Sequence, residues 1–87
     1  MIKVHSVQHQ FSHFIFINEI ENEVLRTNIQ ESMNKLMEDG SYIQFQGSFG
    51  FVLDLQDDKT YEWSEQFKNL LPLSLTAREK TIAILMD

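Results

Sequence analysis

Ser41 to Leu55 reads SYIQFQGSFGFVLDL, and its alternation decides the fold. Ile43 and Phe45 fall on one side of an extended chain, and Tyr42, Gln44 and Gln46 on the other. Further on, Phe49, Phe51, Leu53 and Leu55 share a side, and Gly50, Val52 and Asp54 take the opposite one. Successive side chains of a strand point to opposite faces, so the pattern predicts two strands. Phe, Tyr, Ile and Val suit a pleated, half-buried surface. Gly47 can take the positive φ of a tight hairpin turn, which places the turn at Gln46-Gly47-Ser48. A lone hairpin is marginal in water and must pack on something.

The flanking chain supplies the packing. Upstream, residues 2 to 8 carry a short strand signal, with Ile2 and Val4 facing one way, and the polar stretch His9 to Ser12 reads as a turn. Phe14-Ile15-Phe16-Ile17 is a run of large strand formers and predicts a buried central strand. Asn18 is a good N-cap with Glu21 three residues on, the spacing of a capping box, so a helix is expected to open there. Glu19, Glu21 and Glu23 suit the positive end of a helix dipole. Val24, Leu25, Ile29, Met33, Leu36 and Met37 form its apolar stripe, and Arg26, Gln30, Glu31, Asn34 and Lys35 its wet side. Gly40 stops it.

Downstream of the hairpin, Gln56-Asp57-Asp58 is a polar loop, and Asp58 or Thr60 can cap a second helix. Trp63, Phe67, Leu70 and Leu71 make its apolar stripe, and Pro72 ends it by disfavouring helical geometry at Leu71. In the tail, Thr76-Ala77-Arg78-Glu79 matches a capping box, while Thr81 to Met86 is an apolar run of strand length. The strand reading is preferred. It completes a βαββαβ order, the ferredoxin-like split βαβ arrangement, with a four-stranded antiparallel sheet and two helices on one face. A helical tail would instead put the N-terminal strand into the sheet and leave a plain α+β fold.

The chain has 87 residues, enough for one domain spanning 1–87. Hydrophobic residues make up 43% and aromatics 11%, which excludes a disordered chain. Cys is absent, so neither disulfides nor thiolate metal sites contribute. MIKVHSVQ has no long apolar run, and nothing approaches the roughly 20 apolar residues of a membrane span. A soluble, cytoplasmic protein is expected. The formal net charge is −6, with only 7 scattered Lys and Arg, which repels phosphate backbones and suits either solubility or a basic partner.

No chemical motif stands out. His5, His9 and His13 recur every fourth residue, a metal-binding spacing on a helix. On the extended chain expected here, residues four apart lie about 13 Å apart, so they read as surface histidines. Asp54, Gln56, Asp58, Thr60, Glu62 and Glu65 match the ligand spacing of a calcium loop, but Lys59 stands where that loop needs Gly. Gly47-Ser48-Phe49-Gly50 lacks the Lys of a phosphate loop and sits in a hairpin. Neither a nucleophile elbow nor a paired base is recognisable, so a non-enzymatic protein without metal or cofactor is expected.

Two stretches resemble the RNA-recognition-motif family. Ile15-Phe16-Ile17 is similar to its first-strand motif and Phe49-Gly50-Phe51-Val52 to the core of its third-strand motif. The resemblance implies that Phe16, Phe49 and Phe51 would stack unpaired bases on an open sheet face. The chain departs from that pattern at Gly47-Ser48, Glu19 and Asp54 and in its short hairpin loop. Leu75 to Glu79 resembles the opening of the LuxR-type helix-turn-helix domain, from which nothing is carried over.

The leading expectation is a small acidic interaction module, a regulator or inhibitor, that forms homo-oligomers and binds a protein partner, with a basic one suiting its charge. Tyr42, Phe49, Phe51 and Trp63 are the candidate contact residues, with Asp57, Asp58 and Glu62 as a charged rim. The alternatives are single-stranded nucleic-acid binding through Phe16, Phe49 and Phe51, which the charge disfavours, and a small-ligand regulatory domain, which rests on fold analogy.

Overall fold

The computed structural model describes residues 2–8, 11–57 and 60–86. Five strands and three helices follow one another as β1 (His5–Ser6), β2 (His13–Phe16), α1 (Glu23–Asp39), β3 (Ile43–Phe45), β4 (Ser48–Asp54), α2 (Ser64–Asn69), α3 (Leu73–Arg78) and β5 (Thr81–Leu85). A short 3-10 turn, Ile17–Glu19, separates β2 from α1. The strands form one sheet in the order β1-β2-β5-β4-β3.

The hairpin forms as its sequence requires. Gln46 (φ 49°) and Gly47 (φ 84°) both occupy the left-handed region, the geometry of a type I′ turn. The register sets Ile43 against Gly50, Gln44 against Phe49 and Phe45 against Ser48. The tail is a strand, as preferred, but a one-and-a-half-turn helix, α3, precedes it. Thr76 lies inside that helix and bonds back to the Leu73 carbonyl (3.1 Å), so it does not open a capping box.

The sheet is mixed and not antiparallel as expected. β5 lies between β2 and β4, parallel to β2 and antiparallel to β4. A fifth strand, β1, pairs antiparallel with β2 at the edge. The central position falls to the tail because Ile82 to Leu85 is buried on both sides: all four residues are at most 1% exposed. An edge strand would leave such a run half in water.

The first helix also begins later than expected. Asn22 is its N-cap: the Leu25 N–H donates to Asn22 Oδ1 at 3.0 Å. Asn18 sits in the 3-10 turn instead, because Ile17 and Ile20 turn into the core and hold the chain out of the helix. Leu25, Ile29 and Met33 are the fully buried residues of the stripe; Val24 and Met37 are exposed. At the far end Gly40 (φ 74°) donates to the Met37 carbonyl and the Ser41 N–H to that of Leu36, a Schellman motif.

Paired residues share a face, so the register sorts the side chains. Ile15, Ile84 and Phe51 form one row toward the helices, with Ile82 and Leu53 beside them. They pack with Leu25, Ile29 and Met33 of α1 and with Trp63, Phe67, Leu71 and Leu75. Burying each large apolar side chain stabilises the fold by about 1.5–3 kcal/mol. No helix residue joins the second apolar cluster, on the opposite face: Phe11, Phe45, Ala83 and Leu85, with Val7, Phe14, Phe16 and Ile43 packed against them.

Candidate functional site: the helix-free sheet face

Two rows of side chains cross the helix-free face. One runs His5, Phe14, Ala83, Val52, and the other Phe16, Leu85, Gly50, Ile43. The small residues Ala83 and Gly50 occupy the middle, so long side chains from the flanking strands can lie over them. Phe14 of β2 and Phe45 of β3 meet in this way, with ring centroids 5.6 Å apart across the two intervening strands. Gly50 is required here: a Cβ on it would overlap the Ile84 carbonyl oxygen and stand 2.6 Å from Leu85 Cδ2. Phe11, from the β1–β2 connection, adds its ring edge-on to Phe45 at 5.3 Å and is 4% exposed.

The face remains partly open. Phe14, Phe16 and Ile43 are half-buried, and Val52 is 43% exposed. His5 stacks on Phe14 (5.0 Å, 18° between planes) and meets Phe16 edge-on at 5.3 Å. Its Nε2 lies 2.7 Å from Glu19 Oε1, and Lys3 Nζ stands 3.8 Å from Glu19 Oε2. Among the paired strand positions on this face only Asp54 is acidic, and its Oδ1 accepts the Gln56 N–H at 2.8 Å. The paired strand positions of this face are therefore mostly apolar and carry a single acid, although the chain carries −6.

The expected contact residues do not gather on it. Phe51 (4% exposed) and Trp63 (5%) are in the helix-side core, a correction to their expected contact role. Trp63 stacks on Tyr61 at 4.8 Å, and its Nε1–H donates to Ser32 Oγ at 2.9 Å. Burial pushes the Tyr61 phenol above its ordinary pKa of 10.0. Phe49 lies on the same side as Phe51 and meets exposed Tyr42 edge-on at 5.4 Å. Asp57 and Glu62 are exposed in the loop after β4, and Asp58 lies outside the described residues. Glu62 borders a cleft against α1 with Asn28, Glu31, Ser32 and Lys35, on the helix side.

The base-stacking trio is split by the same alternation. Phe16 projects to the helix-free face, while Phe49 and Phe51 project to the helix side, so the three form no common platform. His5 and His13 also fall on opposite faces, since they pair with Phe14 and Ser6 respectively; His9 lies outside the described residues. Among the described residues no group of three or more His, Cys, Asp or Glu could hold a metal ion. No helix of the described residues is long and apolar enough to cross a membrane.

Sequence reasoning missed Phe11, Phe14, Ile43 and Val52 as surface-forming residues. For Phe14 the signal was present: in a strand running Phe14 to Ile17, Phe14 and Phe16 must oppose Ile15 and Ile17. Phe11 is one apolar residue in a polar stretch and belongs to no period. Comparison with known proteins finds no matching family model, no matching curated protein and no matching solved structure.

Proposed function

We propose that this protein is a non-enzymatic interaction module, a small acidic regulator or inhibitor that self-associates through its helix-free sheet face. One observation carries the reading: Phe14, Phe16, Ile43 and Val52 form a partly exposed apolar surface on the one side of the sheet that no helix covers. Water contact there is unfavourable, and an apolar sheet face is ordinarily covered by a second layer. A second copy of the chain is the occupant best matched to it. Asp54 is the one acid among the paired strand positions of the face, and Glu19 beside the face is paired with His5, so joining two copies brings little like charge together. A nucleic-acid strand fits less well, since the net charge repels it and the three aromatics do not share a face.

Pairing would leave acidic surface outward on both copies, including Asp57 and Glu62, and that surface suits a basic protein partner. The absence of Cys fits action in a reducing compartment, and we place the protein in the cytoplasm. Light scattering across a concentration series tests self-association. The expected result is a dimer that Val52→Glu converts to monomer, because the change buries a charge in the pair while leaving an exposed position exposed in the single chain. A wild-type chain that stays monomeric at every concentration overturns the reading.

A further inference from the structure

We infer that a second site, a cleft between β2 and α3 on the helix side of the sheet, binds the phosphate or carboxylate group of a small molecule. The cleft has a volume of about 190 Å³ and is lined by Val4, His13, Pro72, Ser74, Leu75 and Arg78. It lies on the side of the sheet opposite the proposed self-association face and stands whether or not the protein pairs.

Three groups able to donate hydrogen bonds converge there. His13 projects to the helix side because it pairs with Ser6 while its neighbour Phe14 projects to the other face. Its Nδ1 is sealed from solvent with no hydrogen-bond partner among the described residues, and Glu79 Oε1 stands 3.8 Å from it. That distance is too long for a hydrogen bond. The ring as a whole is 20% exposed, so its exposure lies on its other atoms, and Nε2 is the nitrogen left to meet a ligand.

Arg78 is the second donor. It ends α3, is exposed, and makes no ion pair or hydrogen bond among the described residues. In a chain with 13 acids against 7 Lys and Arg, a guanidinium that lines a cleft without a carboxylate partner is a feature to account for. Guanidinium groups favour planar, two-point pairing with carboxylate and phosphate oxygens. The Ser74 hydroxyl is the third donor, and it too has no hydrogen-bond partner among the described residues. Val4, Pro72 and Leu75 supply an apolar wall beside the donors, which suits a ligand with a short hydrocarbon body behind its anionic group.

NMR titration of the full chain with inorganic phosphate, and separately with acetate, tests the site. The expected result is saturable movement of the His13 ring signals and of the Ser74 and Arg78 amides with at least one of the two probes. Comparing the arms shows which oxyanion the site prefers. Arg78→Gln is expected to weaken the binding about tenfold while leaving signals elsewhere in place, because the side chain is exposed. His13→Gln is expected to weaken it as well. No saturation with either probe up to about 50 mM overturns the inference, since a useful site would saturate far below that. Equal saturable binding by wild type and Arg78→Gln overturns it too. Neither result bears on the oligomeric state, so the two readings fail separately.

Discussion

Gly50 is the position where a single methyl group would do most damage. It sits in β4 under the Leu85 side chain and against the Ile84 backbone of the central strand. Gly50→Ala must push two paired strands apart and is expected to cost about 3 kcal/mol of stability, measured by urea denaturation. Tyr61 contributes to the alkaline limit. Burial raises its pKa above the unfolded value of 10.0, so between the two values the native state holds a proton that the unfolded chain has lost. Its contribution is therefore complete below about pH 10 and is lost as pH rises through the folded-state pKa. The urea midpoint is expected to fall above pH 10, and Tyr61→Phe to reduce the slope of that fall.

At the scale of the element, end signals decide more than stripes. Asn22→Ala is expected to cost about 1 kcal/mol, read from the denaturation midpoint, because it orphans the Leu25 N–H. The hairpin can be improved: Gln46 holds φ 49° beside Gly47, and Asn tolerates that region better. Gln46→Asn is expected to raise stability by about 0.5 kcal/mol in the same assay. These elements also mark how far the sequence was legible. The hairpin could be read because alternation and a turn glycine are local signals. So could α1, with its three buried stripe residues and Gly40. Its start could not be settled locally, since Asn18 and Asn22 both suit an N-cap, and the burial of Ile17 and Ile20 decided between them. The split of the Phe residues follows from counting strand positions in twos. The Phe11 contact with Phe45 depends on residues 34 positions apart and leaves no local trace.

For the whole molecule, the order of strands was the hidden quantity. Periodicity identifies a strand and its faces but does not name its neighbours, so the parallel pairing of β2 with β5 was not legible. Self-association belongs to this scale as well. If the helix-free face is covered by a second copy, the melting temperature is expected to rise with protein concentration, and Val52→Glu to abolish that dependence. The position of β5 has a further consequence for how the molecule is made. Residues 81–85 leave the ribosome after the four other strands of this sheet, yet they stand between β2 and β4. Until they emerge, the hairpin of β3 and β4 has no neighbour on its inner side, and the β1–β2 hairpin is detached from it. Two separate hairpins are marginal in water. A nascent chain stalled before Thr81 is therefore expected to leave Ile15, Phe51 and Leu53 without the strand that pairs beside them, a state prone to aggregation.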